Sequence, residues 1–391
     1  MKPHDGEIPS EINGLQPAMA AWRHRLHAWP ELAYQETRTA DFIADQLTAW
    51  GLEVHRGLGG TGLVGVLTAG DGAGTVGLRA DMDALPMEEA GDPPYRSKNP
   101  GVFHGCGHDG HMAMLLGAAR HLAATRRFSG TVHFIFQPAE EGKAGARAMI
   151  EDGLFERFPC DQVFAMHNWP ALPAGHLAVH TGPVMASADM FELEIRGHGG
   201  HAAMPHQTLD PVVVAAQLVT ALQAIVSRAT DPTDAAVVSV TRIHAGTAHN
   251  VIPETAHLAG TVRALRPATR ARLEADLRRT CAGIAAAFNV AIDVHWHPTY
   301  PPTVNHAGPA ERAARVAAPL FDQVHTDLPP SMGAEDFAFM LEARPGAYVW
   351  LGQGQGPGGS GLHGARFDFN DAVLPRGAAL FCALVEDILP T

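Results

Sequence analysis

A chain of 391 residues is longer than one compact core usually requires and points to two domains. With 46% hydrophobic and 18% charged residues it has the composition of a folded globular protein, which excludes a disordered one. The formal net charge of −13, with no local Lys/Arg cluster, argues against a nucleic acid as partner.

The N-terminal "MKPHDGEIPSEINGL" has no apolar stretch of signal-peptide length, and no run along the chain approaches a membrane span, so no membrane partner is expected. Four cysteines, Cys106, Cys160, Cys281 and Cys382, lie far apart, which fits a reducing cytoplasm better than a disulfide framework. "GLQPAMAAWRHRLHAWPELAYQETRTADFIADQLTAWG" reads as two amphipathic helices split near Pro30, with Gly51 where a C-cap glycine belongs. "GLVGVLTAG" and "GTVGLRADMDALP" are glycine-bounded apolar strands, and "HMAMLLGAARHLAATRR" has helical periodicity. "GTVHFIFQPAEEG" is a strand running into paired carboxylates, "ARAMIEDGLF" a short helix, and "CDQVFAMHNWP" a strand ending at a histidine. The alternation predicts an α/β domain with a central sheet flanked by helices, and functional groups gathered at strand ends.

After about residue 183 the pattern changes. "ADMFELEIRG", "AAVVSVTRIHAG", "AHLAGTVRAL" and "AIDVHWHPTY" read as strands; "DPVVVAAQLVTALQAIVSRAT" and "TRARLEADLRRTCAGIAAAFN" read as helices. This block, 184–297, is expected to be an inserted α+β domain of four strands and two helices. Residues 1–183 and 298–391 would together form the first domain. "GQGQGPGGSG" (352–361) precedes no helix in a phosphate-cradling pattern and reads as a loop.

Twenty-three histidines are many for this length, and "FHGCGHDGHM" (103–112) holds three of them. Cys106 and His108 stand two apart on a glycine-flanked turn, so both can face one centre, and thiolate with imidazole suits an ion such as zinc. In isolation the pair is read equally well as a satisfied polar turn. Partners occur at strand ends: Glu140 and Glu141 in "QPAEEG", His167 in "MHNWP" and His363 in "GLHG". Paired glutamates are usually a solvated turn and lone histidines usually structural. Five candidate ligands and a spare carboxylate at one sheet's strand ends suggest two divalent cations instead. A cysteine hydrolase with Cys106 as nucleophile and His108 or His111 as base is the competing enzymatic reading. A non-catalytic protein with a structural zinc is the third.

"GLRADMDALPMEE", "HGCGHDGHMAMLLGAA", "FQPAEEG", "HNWP", "HNVIPE" and "MGAEDFAF", in this order, resemble the hippurate hydrolase branch of the metal-dependent amidohydrolase and carboxypeptidase superfamily, from about residue 15 to 385. The resemblance implies a metal-binding catalytic domain with a mixed sheet, an inserted lid and dimerisation domain, and a homodimer or higher homo-oligomer. It implies two divalent metal ions per subunit, zinc first, with manganese, nickel or cobalt as alternatives. Cys106 resembles the bridging ligand, and His108, Glu141, His167 and His363 the remaining ones. Glu140 resembles the general base, and Asp83 the aspartate that orients a metal-binding group. Wider relatives have a histidine ligand at the place of Asp81, which is not counted as one here. His201 resembles a histidine that reaches the neighbouring subunit's active site, and Asn250 and Arg263 resemble contacts to the substrate carboxylate. Lys143 stands where many relatives have glycine. The implied reaction is hydrolysis of the linear amide of N-acyl-L-amino acids, hippurate-like ones first, N-acetyl amino acids or N-acyl-diaminopimelate otherwise.

Overall fold

Along "TVGLRAD" every residue after the first is buried, and the run forms the strand Thr75–Asp81. A strand buried on both faces belongs in the middle of a covered sheet. In the computed structural model, which describes residues 8–391, it lies between Gly130–Gln137 and Gln162–Trp169 and is parallel to both. The N-terminal reading rests partly on residues 1–7, which lie outside the described residues.

The chain divides into two units. The first comprises the chain up to Gly182 with Val304–Pro329 and Asp336–Thr391; the second comprises Pro183–Thr303 with Pro330–Glu335. The eight-stranded sheet of the first unit runs Glu53–Leu58, Gly62–Ala69, Gly130–Gln137, Thr75–Asp81, Gln162–Trp169, Gly346–Gly352, His176–Ala178, Gln323–His325. Its four central strands are parallel, and each outer one of the four has an antiparallel neighbour, so the sheet is mixed. Helix His108–Thr125 is buried along almost its whole length, against Gln16–Ala28 and Leu374–Ile388. The sequence places its start at His111, but it begins at His108, because left-handed Gly107 turns the chain directly into it. This is an α/β fold.

The second unit orders its four antiparallel strands Ala236–Ala245, Thr255–Ala264, Ala188–Arg196, Ala291–Tyr300. Alternation in "ADMFELEIR" buries Phe191, Leu193 and Ile195 beneath the helices and leaves Met190 and Glu192 exposed. Each of those three stabilises the core by about 1.5–3 kcal/mol. A short pair, Gly200–His201 with Val251–Ile252, is additional. The last strand continues through Pro298 to Tyr300 by a bulge, so the observed unit extends beyond residue 297. Residues 330–335 also belong to it, since Ala186 N–H donates to the Ser331 and Gly333 carbonyls.

Helix Pro211–Ala224 opens with Asp210 accepting the Val212 N–H at 2.8 Å and continues as a wider turn through Ala229. Over 211–229 it is long and apolar enough, by length and composition, to cross a membrane, which corrects the sequence reading that no run approaches that limit. Its Val214, Ala215, Leu218 and Leu222 pack into the core of the second unit.

Candidate metal centre

Parallel strands of the first unit end at one edge of the sheet, where open α/β sheets place their ligands. Thr75–Asp81 runs on to Asp83, Gly130–Gln137 runs on to Glu140 and Glu141, and Gln162–Trp169 carries His167 near its end. Gly346–Gly352, parallel to the last of these, leads through the glycine-rich loop to His363.

Gly107 brings Cys106 and His108 to one centre. Its φ is +98°, and a β-carbon there would lie 2.4 Å from Asn168 Oδ1, so no other residue fits. His108 Nδ1 donates to the Asp83 carbonyl at 2.8 Å, and its buried Nε2 has no hydrogen-bond partner in the protein. His167 repeats the arrangement: Nδ1 donates to the Asn168 carbonyl at 2.7 Å and Nε2 lies 3.4 Å from Cys106 Sγ. A carbonyl on one ring nitrogen aims the other at the site, as second partners of metal-binding imidazoles do.

The turn after Gly130–Gln137 is strained, with Ala139 at φ +55°, Gly142 at +75° and Ala144 at +57°. It sends the paired carboxylates in different directions. Glu141 Oε1 lies 3.2 Å from His363 Nε2 and 4.0 Å from His108 Nε2. Glu140, buried, has Oε1 at 3.4 Å from the Asp336 N–H, which donates to it. His363 is itself left-handed, φ +59°, and its N–H donates to the Gly105 carbonyl at 2.8 Å.

Electrostatics favour a cation here. Burial works to lower His108, yet Asp81, Asp83 and Glu141 raise it to about 10. Burial, with Glu141, Glu140 and Asp81, pushes the Cys106 thiol well above its ordinary value. Burial works to raise Glu141, but His363, His108 and Cys106 hold its carboxyl below the ordinary value. The carboxylates draw positive charge, and ligation would displace the protons on His108 and Cys106. Ligand atoms of Cys106, His108 and His167 lie within 4.8 Å of one another, as do those of Cys106, Glu141 and His363, and those of His108, Glu140 and Glu141. The sulfur is common to two of these sets. Thiolate, imidazole and carboxylate around a shared sulfur fit a pair of borderline divalent ions.

Of the two bases the competing cysteine reading offered, His108 lies in the same cluster as Cys106 and His111 is held elsewhere. His111, offered as a base, is bound by Asp81 Oδ1 at 2.6 Å and Asn168 Oδ1 at 2.7 Å, and the ring beside the raised Cys106 thiol is His167.

Several residues of the site carried no sequence assignment. Asp81, set aside above, accepts from Arg79 at 2.8 Å and lies 3.7 Å from His108 Nε2. Asp336 accepts from Gln137 Nε2, Arg79 and the Ala146 N–H at 2.8–3.1 Å. The "MGAEDFAF" motif was its signal, but no local pattern named its role. His104 is buried with both ring nitrogens unpartnered, and burial lowers it to about 3.

His201, Asn250 and Arg263 lie in the second unit. The Ala202 N–H donates to the Asn250 carbonyl at 3.0 Å, which places His201 and Asn250 side by side. His201 is exposed and its Nδ1 accepts the Ala203 N–H at 3.1 Å, so the neutral ring carries its proton on Nε2, free to donate. Arg263 is half-buried; its guanidinium donates to the Val262 carbonyl at 3.0 Å and to the Thr261 hydroxyl.

Residues 77–387 match the family model described as Peptidase family M20/M25/M40. The chain is 42% identical over 376 residues to a hippurate hydrolase of Campylobacter jejuni, covering 96% of this chain and 97% of that one. It is 38% identical over 372 residues to an N-acetylcysteine deacetylase of Bacillus subtilis, covering 94% and 96%. Among solved structures it resembles a dinuclear metal-binding M20 peptidase of Bacillus subtilis, with 35% identity, a TM-score of 0.85 and coverage of 96% and 99%. The chain is an amidohydrolase and belongs to Peptidase family M20/M25/M40.

Proposed function

We propose that the protein hydrolyses the amide bond of N-acyl-L-amino acids, releasing a carboxylic acid and a free amino acid. The observation that carries this reading is the convergence of Cys106, His108, Glu141, His167 and His363 beside a second, buried carboxylate, Glu140. Aromatic N-acyl amino acids are the first choice, because the relative at 42% identity is a hippurate hydrolase; N-acetyl substrates are second, from the deacetylase.

Cys106, His108, Glu141, His167 and His363 would hold two divalent ions, zinc first, which when bound polarise the carbonyl and acidify water. Glu140 takes the proton of the attacking water and returns it to the leaving nitrogen. Asp83 fixes the backbone of Glu140 and, through its carbonyl, the ring of His108. His201 donates from Nε2 to the developing oxyanion, a contribution of about 3 kcal/mol for such a donor. Asn250 and Arg263 bind the substrate carboxylate.

The second unit is read as a lid and dimerisation domain, and the enzyme as a cytoplasmic homodimer. Among the described residues, the exposed large apolar side chains other than Tyr34 belong to this unit: Met190, Met204, Val212, Val213, Ile243, Val251 and Phe288. Exposed apolar side chains concentrated in one unit support an association role for that unit.

The test is prolonged chelation, metal analysis and assay on hippurate-like, N-acetyl and peptide substrates. Chelation should abolish hydrolysis and a divalent cation restore it. A fully stripped enzyme that stays active would sink the reading.

A further inference from the structure

We infer that Tyr34 and Glu36 form a clamp that positions the Glu140 turn from both sides. The inference rests on the proposed role of Glu140 as general base and adds residues to it.

Residues 139–144 contain three left-handed positions, two of them alanines. Each such alanine costs about 1–2 kcal/mol, so the turn persists only if outside partners hold it. Asp83 holds its middle by accepting the Glu140 and Glu141 N–H groups. Its two ends are held by one short segment. On the near side, Glu36 Oε1 accepts the Ala139 N–H at 2.8 Å; on the far side, the Tyr34 hydroxyl donates to the Lys143 carbonyl at 2.9 Å. The two anchors thus bracket Glu140 and Glu141.

The segment is built to do this. Glu36 is fully buried, and its other oxygen accepts the Thr61 hydroxyl. The Glu31 carbonyl accepts the Ala84 N–H at 2.8 Å, tying the segment to the stretch that carries Asp83. Gln35 N–H closes a turn onto the Leu32 carbonyl at 2.8 Å and leaves Tyr34 at φ +63°. Tyr34 is therefore itself in a costly conformation, and it is 41% exposed, so burial of its ring does not account for the strain. In that conformation its hydroxyl reaches the Lys143 carbonyl. A carboxylate that must meet a water and then a leaving nitrogen tolerates little displacement, and an error of about 1 Å can cost on the order of 100-fold in rate.

Tyr34→Phe removes only the hydroxyl. The metal-loaded variant should lose roughly tenfold in kcat, with KM, metal content and melting temperature held, and the acidic limb of its pH–rate profile should move. Glu36→Gln keeps an acceptor for Ala139 and should retain activity, whereas Glu36→Ala should lose it and should speed hydrogen exchange of the Ala139 amide. Wild-type kcat in Tyr34→Phe overturns the clamp, and so does a loss of metal from that variant. Glu140→Gln run alongside separates the two claims. If it is inactive while Tyr34→Phe is fully active, the clamp alone fails; if it is active, the base assignment fails and the clamp with it.

Discussion

The Asp83 carboxylate accepts the backbone N–H of Glu140 on one oxygen and that of Glu141 on the other, each at 3.0 Å. Asparagine at this position keeps a single carbonyl oxygen and turns an N–H toward one of the two donors. Asp83→Asn should therefore lower stability by about 1–3 kcal/mol, the cost of a buried donor left unsatisfied, and reduce turnover. Thermal unfolding with parallel kinetics reads both, and a variant indistinguishable from wild type in each would show that Asp83 does not hold the turn.

Adjacent carboxylates on that turn are expected to fail differently. Glu140→Gln removes the proton acceptor and should lower kcat by about 10²–10⁴-fold with metal content unchanged. Glu141→Gln weakens a ligand beside His363 and His108 and should lose metal. Metal analysis of the purified variants decides, and the opposite pattern inverts the assignment of the pair.

Gly107 separates conformational strain from collision. A β-carbon there meets Asn168 Oδ1 at 2.4 Å, whereas one at Gly101, also left-handed at φ +74°, meets nothing within 4 Å. Gly101→Ala should be mildly destabilised and fully loaded with metal. Gly107→Ala should lose metal, because relieving the collision moves Cys106, His108 or Asn168. Equal metal content in the two variants would contradict this.

What the sequence disclosed and what it withheld have a physical division. The central strands were legible because burial on both faces leaves short apolar runs such as the "VGL" of Thr75–Asp81, and the inserted block because its strands alternate. The five convergent donors were legible because metal chemistry restricts residue type and the strand ends gather them. Tyr34, Glu36 and Asp336 were not, since a hydroxyl that donates to a backbone carbonyl, or a carboxylate that accepts backbone N–H groups, some 100 to 200 positions away leaves no local periodicity. The start of helix His108–Thr125 was misplaced because it is set by the left-handed φ of Gly107, which a glycine permits but does not announce in the sequence.

Behind the site, His27 is buried between Asp109, 2.8 Å from Nδ1, and Glu89, 3.2 Å from Nε2, with Arg23 also bound to Asp109. Burial and Arg23 work to lower it, but the two carboxylates raise it to about 9. A raised folded-state value means the imidazolium contributes fully below the unfolded value of about 6.5 and that contribution is lost as pH rises through about 9. Stability should therefore fall across this window, by up to about 3 kcal/mol from this group. Urea unfolding of wild type and His27→Gln from pH 6 to 9.5 checks it. The variant should start less stable and fall less steeply; parallel curves would remove His27 as the cause.

The proposed dimer makes a prediction that a monomer does not. His201 lies in the unit that exposes most of the large apolar side chains, and its Nδ1 accepts the Ala203 N–H, leaving Nε2 to donate outward. If that donor serves the partner's site, each active site draws Glu140 from one chain and His201 from the other. His201→Ala and Glu140→Gln homodimers should then both be nearly inactive, for different reasons. In a mixed dimer one of the two sites combines an intact Glu140 with an intact His201, while the other carries both defects. Random exchange at equal concentrations makes half the dimers mixed, so about a quarter of wild-type activity should return. Exchange is followed by mass difference between tagged chains, so that failure to mix is recognised as such. Full exchange without recovery would place His201 on its own chain's site or outside catalysis, with its bond to Ala203 then serving only as a cap on its own turn.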